Sequence, residues 1–158
     1  MVLKKNKIRI IGRREFVDFP QLKLFSIEAK IDTGAYTSAI HCKDIAIKTI
    51  NNTQVLCFKL LDDTHPEYSE QTHEFSEYFK KKIKNSFGEM EERYIIKTPI
   101  KLGKKNILTT LSLSDRENMR YPVLIGRRLL KGKFIVDVNR IHTKGIIKIK
   151  KSVKKKTK

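Results

Sequence analysis

The stretch AKIDTGAYTSAIH, residues 29–41, decides the fold. An apolar, strand-like run stops on Asp32, Thr33 and Gly34, then resumes at once through Ala35, Tyr36, Thr37, Ser38, Ala39 and Ile40. Residues of these types are common in turns. What sets this turn apart is its make-up: a carboxylate, a small hydroxyl and a glycine at the end of an alternating run. Upstream, Leu24, Ser26, Glu28 and Lys30 alternate with Phe25, Ile27, Ala29 and Ile31. A period of two predicts a half-buried strand.

Working outward, IRIIGRREFVDFP reads as a strand through Ile8, Ile10 and Ile11 that runs into a turn before Pro20. AIHCKDIAIKTI and TQVLCFKLL are two more strands, joined by the turn pair Asn51-Asn52. Residues 62–80 are acidic and then aromatic. They predict a long loop or insertion, or a short helix over 69–80. KKIKNSFGEMEERYIIKTPIKLG places Asn85-Ser86-Phe87-Gly88 between two arms of a hairpin. KKNILTTLSLSD is an alternating strand after a turn at Gly103. YPVLIGRRLLKGKFIVDV reads as a strand, a glycine, a helix of about two turns and another strand, and GIIKIK as a last strand. Many short strands with regular turn signals predict an all-β barrel or sandwich.

Composition narrows the class. A chain of 158 residues is long enough for one domain with a real core. It contains no apolar run of the ~20 residues that would span a bilayer, and its basic start, MVLKKNKIRII, lacks the apolar segment of a signal peptide. Two cysteines, Cys42 and Cys57, make no disulfide framework, so a reducing cytoplasm is expected. Thirty-five Lys and Arg against seventeen Asp and Glu leave a net charge of +18. Such a field draws polyanions without specifying a fold.

About ninety residues separate Ile31-Asp32-Thr33-Gly34-Ala35 from Leu124-Ile125-Gly126-Arg127. In this pairing the chain resembles the retropepsin-like aspartic proteases. In that family a strand delivers Asp-Thr/Ser-Gly-Ala to a loop, and an apolar-apolar-Gly-Arg segment packs behind it and leads into a helix. IGRREFVDFPQL, AKIDTGAYTSAIH, EMEERYIIKTPIKLG and SLSDRENMRYPVLIGRRLLKGKFIVDV also resemble a bacterial family long labelled putative ATP-dependent zinc proteases, whose members are now viewed as retropepsin-like. The likeness covers about residues 8–140. It departs at Tyr36, where a basic residue is expected, and at Cys42, where a small one is usual. It implies an all-β, closed acid-protease barrel with one short C-terminal helix over residues 1–147. The basic tail 148–158 has no apolar side to bury and is expected to be disordered.

Hydrolysis of a peptide by carboxylates needs two Asp side chains close together. Like charges so near cannot both ionise, so they share a proton. The ionised partner takes a proton from a water between them, while the protonated one hydrogen-bonds to the scissile carbonyl. The pair titrates as a pair. Only one Asp-Thr-Gly is present, and Asp63-Thr64-His65 is no second copy, because histidine cannot make glycine's close backbone approach. A two-fold homodimer would complete the site.

The resemblance then assigns roles. Asp32 is catalytic, and Thr33, Gly34 and Ala35 form the active loop, with Thr33 bracing it across the dimer and Gly34 letting it turn. Thr37, Ser38, Arg93, Arg116, Gly126 and Arg127 support the loop or bind substrate. Arg93 and Arg116 would meet an acidic substrate, or else pair with Glu92 or Asp115. Asn118 and Met119 would fill the core behind the loop. The hairpin near 83–95 is either a flap over the substrate or an ordinary surface hairpin.

Metal chemistry finds little support. His41, His65, His73 and His142 include no His-Glu-x-x-His pair, and the adjacent His41 and Cys42 point opposite ways in a strand. There is no phosphate-binding Gly-x-x-x-x-Gly-Lys-Ser/Thr loop. No metal and no cofactor are expected. Two functions remain. One is a cytoplasmic, homodimeric aspartic endopeptidase that trims acidic, glutamate-rich tails of proteins such as ribosomal proteins. The other is an inactive protease-like barrel that contacts RNA or the ribosome through its basic surface. Neither calls for a membrane.

Overall fold

The computed structural model describes residues 7–85, 87–115, 120–144 and 147–148. Its strands are β1 (Arg9–Gly12), β2 (Arg14–Phe19), β3 (Leu24–Ile31), β4 (Ser38–Ile50), β5 (Thr53–Leu60), β6 (His73–Phe75), β7 (Phe79–Lys84), β8 (Met90–Leu102), β9 (Lys105–Ser114), β10 (Val123–Ile125), β11 (Phe134–Asp137) and β12 (Ile147–Lys148). A 3₁₀ turn spans Pro20–Leu22, and one helical turn, α1, spans Arg127–Leu130.

The all-β expectation holds. Six strands pair in a ring, β10-β3-β2-β8-β9-β4, which closes because the three-residue β10 pairs with β3 on one side and β4 on the other. The ring is uneven, with β2 and β8 sharing only two register pairs. β5 and β6 extend it beyond β4, and β7 pairs with the outer half of β8. Inside lie Ile27, Ile40, Phe58, Ile96, Leu111, Val123 and Ile125, all fully buried. Each contributes about 1.5–3 kcal/mol by leaving water.

Turn chemistry follows from the sequence where it is strong. Asn51 and Asn52 both adopt positive φ (51° and 62°), the geometry of a tight two-residue hairpin turn between β4 and β5. The β7–β8 hairpin also forms, with Lys84 opposite Met90.

Four expectations need correction. No helix covers 69–80; residues 61–72 form the loop that is the other expectation, β6 then pairs with β5, and β7 begins at Phe79 against β8. The first predicted strand is two, β1 and β2, which belong to different sheets. The predicted two-turn helix is a single turn, since the chain leaves helical geometry at Lys131. The alternation in β3 changes phase: Leu24 is buried and Phe25 exposed, whereas Ile27, Ala29 and Ile31 are buried. Ser26, at φ 55°, is the cause. Its N–H bonds to Asp18 Oδ1 at 2.7 Å, and the β2–β3 register shifts there. Arg116, Asn118, Met119 and the tail beyond Lys148 lie outside the described residues, as does Ser86 of the hairpin turn.

A C-terminal strap ties the second sheet to the ring. β1 sits between β11 and β12, and between these two strands the chain crosses β2. There the fully buried Glu15 accepts from the Gly12 N–H (3.0 Å), the Thr143 N–H (2.9 Å), the Lys144 N–H (3.3 Å) and the Thr143 hydroxyl. Arg13 N–H donates to Arg140 O, and a side chain at Gly12 would lie 2.2 Å from that same oxygen. Arg13 O in turn accepts from Ile31 N–H, one residue before Asp32.

Candidate active site

Asp32 leaves β3 at the point where β10 closes the ring. Its N–H donates to Ile125 O at 2.8 Å, so the parallel β3–β10 ladder runs up to the turn itself. The turn is short: Ala35 N–H reaches Asp32 O, and Gly34 N–H donates to Asp32 Oδ1 at 3.0 Å. Asp32 is half-buried, while Thr33 and Gly34 are exposed. The carboxylate is thus held from behind and open in front.

The second motif braces the loop. Gly126 N–H donates to the buried Ser38 Oγ at 3.0 Å, Arg127 N–H to Ala35 O at 2.8 Å and Arg128 N–H to Tyr36 O at 3.0 Å. A Cβ on Gly126 would lie 2.8 Å from Tyr36 O and 2.9 Å from Ala35 O, so only glycine lets the two segments touch. Arg127 Nη1 donates to Thr33 O at 2.9 Å. The Arg127 guanidinium and the Lys81 ammonium each lie within 6 Å of the Tyr36 ring centroid, at 5.9 and 5.8 Å, linking the loop to β7.

In front of Asp32 is a groove of about 450 Å³. Its walls are Asp32, Gly34, Ala35, Tyr36 and Thr37 on one side and Lys81–Asn85 with Arg93 on the other, with Ala39, Ser112 and Leu124 below. The 83–95 hairpin therefore overhangs the loop. Asn85 builds its tip: Oδ1 accepts from Phe87 N–H and Glu89 N–H, both at 3.0 Å. Phe87 is 90% exposed there.

Of the residues singled out in the sequence, Asp32, Gly34, Ala35, Thr37 and Arg93 line the groove, while Ser38, Gly126 and Arg127 support the loop from behind. Thr33 is exposed, and its carbonyl is held by Arg127 Nη1. Arg93 pairs with neither Glu92 nor Asp115. Its Nη2 lies 3.1 Å from Glu91 Oε2, because residues two apart share a strand face. Sequence reasoning missed Ser112 and the lysines of β7. The run FKKKIK was a signal for the latter, as a strand with lysines on both faces has no core to cover.

Elsewhere, His41 bridges Ser114 O (3.2 Å) and Asp62 Oδ2 (2.8 Å), and Asp62 also accepts from the Thr64 hydroxyl and N–H. The bonds from Thr64, with a smaller contribution from His41, hold the Asp62 carboxyl below its ordinary value. Burial pushes the Cys42 thiol far up, so it is no nucleophile. Among the described residues no three His, Cys, Asp or Glu side chains converge as a metal centre requires, so the zinc in the older family label has no fitting site there. No helix among them is long and apolar enough to cross a membrane.

Comparison with known proteins agrees with this geometry. A probable alpha-L-glutamate ligase of Desulfotalea psychrophila is 34% identical over 133 residues, which are 82% of this chain and 28% of that protein. A namesake from Shewanella halifaxensis is also 34% identical, over 81% of this chain and 28% of its own length. The chain thus spans little more than a quarter of these relatives. A Legionella pneumophila protein of unknown function has a solved structure that superposes with a TM-score of 0.68 at 26% identity, covering 86% of this chain and 98% of that one. The model of the RimB-like family, described as retropepsin-like aspartic endopeptidase RimB, matches residues 10–145, and the chain belongs to that family.

Proposed function

We propose that the protein is an aspartic endopeptidase that works as a homodimer and removes glutamate-rich extensions from other proteins. The observation that carries this reading is Asp32, half-buried on a rigid loop at the wall of an open groove, with a single backbone N–H on its Oδ1. One such carboxylate is half of a hydrolytic pair. A second copy across a two-fold axis supplies the other half. Between them a shared proton and a water give one general base and one general acid.

Charge supports the substrate class. Lys81, Lys82, Lys84 and Arg93 are among the residues that line the groove, in a chain of net charge +18. This field concentrates an acidic peptide and aligns it. The name of the longer relatives supports it too, because a ligase that adds glutamate creates the tail that a hydrolase of this kind removes. The two thiols, both buried and free, fit a cytoplasmic site of action.

The test is incubation with a glutamate-tailed peptide and a neutral peptide of equal length. The tailed peptide is cleaved faster, and Asp32→Asn lowers cleavage of both by about 10³-fold. Activity retained in Asp32→Asn ends the mechanism; equal turnover of the two peptides ends the charge argument.

A further inference from the structure

The strand register fixes what forms the groove floor. Leu124 on β10 is opposite Ala39 on β4, Ala39 is opposite Ser112 on β9, and Ser112 is opposite Ile95 on β8. Directly opposed residues share a face of the sheet, so these four make one row across the sheet. Arg93 is two residues along β8 from Ile95, on the same face, and opposite Lys81 of β7. The row is uneven in height. Ala39 and Ser112 are small and leave a hollow between Leu124 and Ile95, with Arg93 beside it along β8.

Two features of the hollow are unusual. Ser112 is 1% exposed, and its Oγ has no hydrogen-bond partner among the described residues. A buried hydroxyl without a partner is a cost; the Thr98 and Thr110 hydroxyls carry it too, but of the three Ser112 is the one that lines the groove. Arg93 is 8% exposed, and its Nε and Nη2 bond to Glu91, whose side chain stays 47% exposed. The pair with Glu91 engages Nε and Nη2 and leaves Nη1 outside it. An unpaired donor and a nearly buried guanidinium therefore meet in one cavity.

We infer that this hollow is a side-chain pocket that reads one acidic residue of the bound peptide. Its carboxylate pairs with Arg93 and accepts a hydrogen bond from the Ser112 hydroxyl, while Ala39 and Leu124 hold the stem of the side chain. Lys81 and Lys82 add charge at the mouth. The inference rests on reading the groove as a peptide site, but it assigns recognition to two particular residues rather than to the overall field. A charge-assisted bond of this kind distinguishes glutamate from its isostere glutamine, which a diffuse basic surface does less sharply.

The experiment uses the full chain carrying Asp32→Asn and measures calorimetric binding of acidic peptides in which each position in turn is Glu, Gln or Ala. At one position Glu binds about tenfold more tightly than Gln. Ser112→Ala reduces this preference to about threefold. Ser112→Val, which fills the hollow, removes the preference at that position and leaves the other positions unchanged. Arg93→Gln acts like Ser112→Val, with melting curves checking its fold. No preference at any position, or a full preference surviving in Ser112→Val, overturns the pocket. Turnover by the wild-type chain is read separately. Cleavage without positional preference sinks the pocket and leaves the hydrolase, whereas preference without cleavage leaves the pocket and sinks the hydrolase.

Discussion

Glu15 lies on β2 and Asp32 just past the end of its antiparallel neighbour β3, and their surroundings are opposite. Glu15 is fully buried, and its oxygens are taken by three backbone N–H groups and a hydroxyl. Asp32 is half-buried, accepts the Gly34 N–H on Oδ1 and faces a groove. The difference separates a fastener from a reagent. A carboxylate whose lone pairs are filled by main chain closes a strap and has nothing left for a substrate. One held by its backbone, with side-chain oxygens to spare, can take up a proton and a water.

Removing each carboxylate should therefore move a different observable. Asp32→Asn should lower the cleavage rate by about 10³-fold while shifting stability by less than about 0.5 kcal/mol. Denaturant unfolding beside a peptide assay checks both, and a large loss of stability would make Asp32 structural. Glu15→Ala should do the reverse, costing about 3 kcal/mol by leaving buried donors unpaired. A loss below about 1 kcal/mol would mean that water replaces the carboxylate and the strap is not fastened there.

The brace that holds Asp32 open gives an intermediate case. Gly126→Ala places a carbon 2.8 Å from Tyr36 O. It should cost about 2 kcal/mol and most of the activity together, since loop and fold share that contact. Loss of activity without loss of stability would show that the loop moves independently of the ring.

The smallest effect concerns Asp62, a carboxylate between the two extremes. Hydrogen bonds from Thr64 and then His41 lower its pKa on folding. A lowered carboxyl stabilises the fold above the ordinary carboxylate range, and that contribution fades as the pH falls through and below it. Asp62→Asn should flatten the acid limb of stability against pH by lowering the neutral plateau slightly, with little change at acid pH. An unaltered acid limb would assign acid sensitivity to other groups, such as Asp137, which its bonds to Asn139 and Arg140 also lower.

Much of the ring was legible because its signals are local. Asn51-Asn52 turns as its chemistry demands, and Ile31-Asp32-Thr33-Gly34 ends a strand as its pattern implies. What was not legible depends on partners distant in sequence. The phase change in β3 needs Asp18 to capture Ser26. β6 is a strand because β5 offers it an edge, which an acidic, aromatic run does not announce. Ser112 reads as one more alternating residue until the register sets it beside Ala39 and Ile95. Glu15 looks like a surface glutamate until Thr143 closes over it.

One Asp32 per chain is the centre of the account, and mixed dimers test it most directly. Wild-type chains and Asp32→Asn chains are co-refolded at fixed total concentration, and cleavage is measured against the wild-type fraction. If two copies of Asp32 make one site, total activity falls as the square of that fraction, with about a quarter remaining at equal mixture. A linear fall, with half the activity at equal mixture, would mean that each chain works alone and would contradict the paired-carboxylate mechanism.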